Sequence, residues 1–220
     1  MAYVENRTIH DADAHVMEMP EKILEYMEAK YIDDFREFTG ARLHTPQAMA
    51  DNAALHDDEA FRAGAIENIM LRKNHEALGA FRREDRPACL DQLGFTSQLV
   101  FTTAALSNYG LDESGNTELA LAAARAHNRM NADFCAVDKR LLATAYVPLV
   151  DFAAAAEIAG EAIELGCKAL MIPSRCPPAH SPSHIGFEPL WALAEEAGVP
   201  IVFHVGGEEK MAPGYFNNGL

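Results

Sequence analysis

The chain has 220 residues, of which 49% are hydrophobic and 23% charged. That is enough to bury a sizeable core, and it excludes a disordered or collagen-like chain. The formal net charge is −15, and no run of Lys or Arg offers a nucleic-acid surface; a small anion in a locally positive pocket stays open. No stretch approaches the roughly 18 consecutive apolar residues of a membrane-spanning helix. The N-terminal Met-Ala-Tyr-Val-Glu-Asn-Arg lacks an apolar signal core. The four cysteines, Cys89, Cys135, Cys167 and Cys176, form no CxxC pair, and buried thiols in a reducing, cytoplasmic compartment are expected.

Taken in chain order, Arg7 to Asp13 reads as a short first strand, and Glu21 to Tyr31 as an amphipathic helix. The polar stretch 33–83 breaks the pattern and reads as a helical insertion, with His44, His56 and His75 expected on a solvated surface. Arg86 to Leu93 is a helix leading into an apolar strand at Gln98–Thr102. Asn116 to Ala136 is the next helix, and Leu141–Val147 the next strand. Asp151 is placed to cap a helix that Gly166 stops. Lys168–Ile172 is a strand ended by Pro173, Phe187 to Ala197 a helix stopped by Gly198, and Val199–His204 a strand. Trp191 is expected to pack its helix on the core. Short apolar strands alternating with helices indicate parallel βαβ units. One domain over 1–220 is the simplest organisation, and functional groups belong at the C-terminal ends of the strands.

Two features lie at such ends. In Asp11-Ala-Asp13-Ala-His15, residues two apart on an extended backbone share a face. Asp13 and His15 can therefore aim at one ion, and Asp11 could join them; the alternative is a polar turn whose Asp residues cap the next segment. His204 closes the last apolar strand and is followed by Gly206-Gly207, which leave room for a ligand. His and carboxylate donors suit zinc first and manganese second. Arg175, just past the fourth strand, could bind a substrate carboxylate with two hydrogen bonds or be a surface-loop arginine, and His184 in the same Pro-rich loop is either a further contact or solvent-exposed. His180 and Cys176 share that loop, without a base partner for the thiol. Glu208 and Glu209 read as solvated.

Several segments resemble amidohydrolase-related proteins, in particular the group of aminocarboxymuconate semialdehyde decarboxylase and related aromatic-acid decarboxylases. They are Asp11-Ala-Asp-Ala-His-Val-Met-Glu18, His127-Asn-Arg, Phe134-Cys-Ala-Val-Asp-Lys-Arg, Val147-Pro-Leu-Val, Met171-Ile-Pro, Ser181-Pro-Ser-His184 and Val202-Phe-His-Val-Gly-Gly207. The resemblance covers most of the chain and is weakest over 33–83. It implies a TIM-type (β/α)8 barrel, here partial, with about five parallel strands. It also implies one divalent ion held by Asp13, His15 and His204, and a metal-dependent hydrolase or non-oxidative decarboxylase acting on a small carboxylate-bearing or cyclic substrate. The family's catalytic aspartate follows its eighth strand. With five strands ending at His204, that group falls on no residue of this chain, and the chain is expected to be a piece of a complete barrel. Five strands leave two sheet edges, which a second copy could cover in a homo-oligomer. The competing expectation is an inactive barrel that serves as a binding or assembly module. A nucleotide-binding doubly wound protein is disfavoured, because no GxGxxG or P-loop follows any strand.

Overall fold

The structure is a computed structural model that describes residues 2–42, 46–103, 109–174 and 180–204. Its frame is one sheet of five parallel strands in sequence order: β1 (His10–Val16), β2 (Ser97–Thr102), β3 (Leu141–Tyr146), β4 (Ala169–Pro173) and β5 (Ile201–His204). The sheet curls into a half-barrel with helices outside, the partial TIM-type barrel that the alternating pattern implies. The helices are α1 (Pro20–Leu24), α2 (Ile32–Arg42), α3 (Pro46–Leu55), α4 (Glu59–Glu67), α5 (Arg86–Leu93), α6 (Tyr109–Asp112), α7 (Thr117–Cys135), α8 (Phe152–Glu164) and α9 (Glu188–Ala197). Among the described residues, no helix is long and apolar enough to cross a membrane.

Local chemistry sets the element ends. Asp151 accepts the Ala154 N–H at 2.8 Å and Asn116 the Leu119 N–H at 3.1 Å, so α8 and α7 both start at side-chain caps. The helix α5 stops at Gly94, whose φ is +74°; a Cβ there would lie 2.1 Å from the Val4 carbonyl oxygen, so glycine is required. Every residue of β4 is buried, as a central parallel strand covered on both faces demands. The main core joins the strands to α7, α8 and α9, with Trp191 partly buried against it. A second cluster packs Ile23, Met27 and Phe35 on α7, and a small third one joins Ala65 and Leu78 of the insertion to Cys89 of α5. Cys89, Cys135 and Cys167 are buried free thiols; burial pushes Cys135 up to about 12 and Cys167 up to about 11.

Buried amides on α7 tie the helix to the sheet. Asn131 Nδ2 donates to both Val100 O and Thr144 O at 2.9 Å, and so bridges β2 and β3. Asn128 accepts the Tyr146 N–H at 2.7 Å and donates to Tyr146 O at 3.0 Å. His127, one turn earlier on the same face, is fully buried beside Thr102.

Three local expectations are corrected. The first strand begins at His10 instead of Arg7 and runs through His15, because its pairing with β2 extends from His10↔Ser97 to Val16↔Thr102. The helix expected over 21–31 breaks after Leu24, and a short 3-10 turn at Ala29–Tyr31 leads into α2; burial of Ile23 and Met27 against α7 overrides helix propensity there. His56 is not on the surface: it has no exposed area, its Nε2 lies 2.7 Å from the His75 carbonyl oxygen, and its ring sits between Phe61 and Phe81. His44 lies outside the described residues.

Candidate metal centre

β1 and β5 are opposite edges of a five-stranded sheet. In a flat sheet, strands four positions apart lie about 19 Å from each other at the usual spacing. Here His15 Nε2 and His204 Nε2 are 3.1 Å apart, because the sheet curls and both side chains point into the concave side. The Phe101 ring from β2 lies beside the pair, 5.8 Å from the His15 ring and 4.8 Å from that of His204. Asp13 completes a triangle, its Oδ1 lying 3.2 Å from His15 Nε2 and 3.3 Å from His204 Nε2.

This triangle passes a simple test of fit. Donors at about 2.0–2.2 Å from one divalent ion lie roughly 2.8–3.1 Å from each other in octahedral and 3.3–3.6 Å in tetrahedral arrangements, a span that brackets the three edges here. Two imidazole nitrogens and one carboxylate oxygen are a usual donor set for zinc-like ions. The His15 pKa is lowered, first by burial and next by His204, with Asp13 opposing; a neutral ring is the form that ligates. The Asp13 side chain is 73% exposed and those of His15 and His204 are 23% and 10% exposed, so the triangle is rooted in protein and open on the carboxylate side.

Asp11 does not share this face. A register irregularity between Asp11 and Ala14 breaks the two-residue alternation. Asp11 Oδ1 instead accepts the Asp13 N–H at 3.0 Å, and its Oδ2 accepts from Gln98 Nε2 at 3.0 Å. It shapes the turn that carries Asp13. His184 is exposed and stacks on Phe152 at 4.8 Å, while its Nδ1 accepts the Gly186 N–H in the turn before α9. His180 stacks on the same ring at 4.7 Å. The structure does not bring either one into the triangle. Arg175, Cys176, Gly206, Gly207, Glu208 and Glu209 lie outside the described residues.

A cavity of about 730 Å³ begins at Val16, the residue after His15, and runs under the insertion to α7. Sequence reasoning missed it: the charged run Arg82-Arg83-Glu84-Asp85-Arg86 that leads into α5 does not by itself mark a cavity wall. Its wall carries Lys22, Arg82 and Arg83 as well as Glu18, Asp57, Glu84 and Asp133. Asp133 Oδ2 accepts from Arg83 Nη1 and from the Tyr26 hydroxyl, both at 2.6 Å. The Tyr26 bond first and Arg83 next hold the Asp133 carboxyl below its usual range, while burial and the bond to Asp133 push the Tyr26 hydroxyl up to about 12. Arg82 Nη1 donates to Asp57 Oδ1 at 2.9 Å.

A parallel half-barrel with a His–carboxylate triangle at the C-terminal ends of its strands defines a class, the (β/α)-barrel proteins that gather functional groups at that end. Within that class the amidohydrolase family profile matches residues 10–218, and the chain belongs to that family. No curated protein sequence matches it. Among solved structures, the chain is similar to an amidohydrolase from Mycobacterium avium subsp. paratuberculosis. The TM-score is 0.69 at 20% identity, and the match covers 94% of this chain and 60% of that one. It is also similar to a 5-carboxyvanillate decarboxylase from Novosphingobium aromaticivorans complexed with manganese and 4-hydroxy-3-methoxy-5-nitrobenzoic acid. That match has a TM-score of 0.56 at 18% identity and covers 94% of this chain and 53% of that one. The chain thus spans 60% of the first structure's length and about half of the second's. At these identities the likeness establishes the fold.

Proposed function

We propose that this chain, as one domain, carries the first five βα units of a metal-dependent hydrolase or non-oxidative decarboxylase, with Asp13, His15 and His204 holding one divalent ion. The observation behind this reading is the triangle of donor atoms with edges of 3.1, 3.2 and 3.3 Å, assembled from the two outer strands of the sheet. A divalent ion held there would act as a Lewis acid on a water molecule or a substrate oxygen. Zinc is our first choice of metal and manganese the second; the manganese carried by the decarboxylase of similar fold supports the latter.

The substrate we infer is a small carboxylate-bearing or cyclic molecule. The cavity that starts at the end of β1 is of the size that takes such ligands, although Asp13, His15 and His204 are not among its lining residues. Arg82, Arg83 and Lys22 on its wall are paired with Asp57, Asp133 and Glu25, and an incoming carboxylate would compete for these cations. We assign Arg175 and His184 as further substrate contacts on the loop after β4. Phe101, whose ring meets both His15 and His204, gives the triangle an apolar floor that limits water. The reading extends to a cytoplasmic protein, which the three buried thiols support.

Metal analysis tests it. Purified protein should carry about one divalent ion per chain, and the Asp13→Ala/His204→Ala variant should carry almost none while keeping its circular dichroism. Wild-type protein that takes up no metal after reconstitution would overturn the enzyme reading and leave a binding or assembly module in its place. For protein that does load, incubation with a panel of small aromatic and cyclic carboxylates, followed by mass spectrometry, separates loss of CO2 from gain of water.

A further inference from the structure

His15 is gripped from behind at two points. Its Nδ1 lies 3.0 Å from Thr103 Oγ1. Thr103 is itself anchored, its N–H donating to Glu18 Oε2 at 2.8 Å, and Glu18 is only 4% exposed. At the second point, Arg86 Nη2 donates to the His15 carbonyl oxygen. Arg86 is 5% exposed, with its guanidinium 5.8 Å from the Phe134 ring centre and in interaction with the buried Cys89 thiol. The space it fills is reserved: Gly79 has φ +73°, and a Cβ there would come within 2.9 Å of Arg86 Cδ.

Burying a guanidinium is costly, and an apolar side chain of similar volume would usually pack the same space at lower cost. The bond that Arg86 makes from this position ends on the main chain of a triangle residue. A neutral imidazole carries one N–H, and the partner of one nitrogen decides which nitrogen keeps its lone pair.

We propose that Thr103, Glu18 and Arg86 are positioning residues for His15, an inference that rests on reading the triangle as a metal centre. Thr103 Oγ1 accepts the Nδ1–H, which leaves the Nε2 lone pair facing Asp13 Oδ1 and His204 Nε2. Glu18 holds Thr103 at the end of β2, and Arg86 holds the β1 main chain at the ligand. The ring is thereby aimed before any ion arrives.

Zinc affinity, measured by chelator competition, and unfolding of the metal-free protein test this together. Thr103→Val should weaken zinc binding about tenfold or more, the range typical when a partner behind a ligand is lost. Thr103→Ser should stay within about threefold of wild type by the same reasoning. Arg86→Met should weaken binding by about tenfold as well, with Arg86→Lys recovering part of it. Folded Thr103→Val and Arg86→Met proteins that bind zinc as wild type does, with only their unfolding midpoints moved, would reduce these residues to packing and overturn the proposal. A measurement on the unaltered chain covers variants that fail to fold. Nitrogen-15 spectra of chelator-treated wild-type protein, labelled at histidine, should show the His15 proton on Nδ1; a proton mainly on Nε2 would overturn the proposal. Wild-type protein that binds no zinc is a different result, since it removes the metal centre itself.

Discussion

The triangle and the neighbouring cavity are built in opposite ways. His15 and His204 are separated by 189 positions and are brought together by the curl of a sheet. That sheet is tied to α7 by buried amides that bond main-chain groups. The cavity wall draws on the end of β1, α1, the insertion and α7, and its polar contacts include ion pairs between partly exposed side chains, such as Arg83 with Asp133 and Arg82 with Asp57. The first kind of construction fixes atoms to within a few tenths of an ångström. The second lets side chains exchange partners at little cost. A centre whose donors must converge belongs on the first, and recognition of variable ligands on the second.

The comparison breaks most sharply at Asn131. Its Nδ2 serves one carbonyl from β2 and one from β3, and the residue has no exposed area. Asn131→Ala removes both bonds and opens a small void. Two buried carbonyls then lose a donor, and a loss of about 3 kcal/mol is expected in urea unfolding. A loss below about 1 kcal/mol, the ceiling for an exposed ion pair, would put the sheet scaffold on a par with the insertion.

His127 gives a pH-dependent version of the same test. Burial lowers its pKa from 6.5 to about 3 in the folded chain. The unfolded chain takes up this proton below about pH 6.5, while the folded chain does not until about pH 3. Stability that is complete above pH 6.5 is therefore lost as pH falls toward 3, by about 1.4 kcal/mol per unit. Between pH 7 and pH 5 wild type should lose about 2 kcal/mol more than His127→Gln, which has no such proton. Equal losses in the two proteins would mean that His127 can be protonated in place, and that the scaffold side is softer than its hydrogen bonds suggest.

How much of this was legible in the sequence follows the same division. The later strands were readable because each is a short, largely apolar run bounded by markers such as Pro173 at the end of β4 and Gly198 before β5. Asp13 and His15 were readable from their two-residue spacing, and His204 from its place at the end of an apolar strand. The spacing argument failed for Asp11, because the irregularity between Asp11 and Ala14 arises from pairing with β2, which local sequence does not encode. In the insertion no apolar period marks the buried face. His56 reads as a surface residue until Phe61 and Phe81, 20 positions apart in sequence, close on it. The break after Leu24 has the same origin, in contacts with α7. The cavity was invisible for a further reason: its charges come from α1, the insertion and α7, and only the fold brings Lys22, Arg83 and Asp133 to one wall.

The smallest expected effect is the one that sharpens the contrast most. Arg83 and Asp133 have side chains 38% and 48% exposed, so solvent screens their attraction. Arg83→Ala should cost less than about 1 kcal/mol of stability, and half a molar of salt should erase most of that cost. The same substitution should weaken binding of a small aromatic carboxylate, read by calorimetry, because a cation of the wall is gone. Asp133→Asn should act in the opposite direction. It keeps the shape of the Tyr26 and Arg83 partner but removes its charge, and so leaves the guanidinium available to an incoming carboxylate. If both variants weaken carboxylate binding equally, the Arg83–Asp133 pair is a fixed strut of the cavity. If they move it in opposite directions while stability stays nearly level, the pair is an exchangeable contact in which substrate takes the place of Asp133, and the insertion is where ligand choice is made.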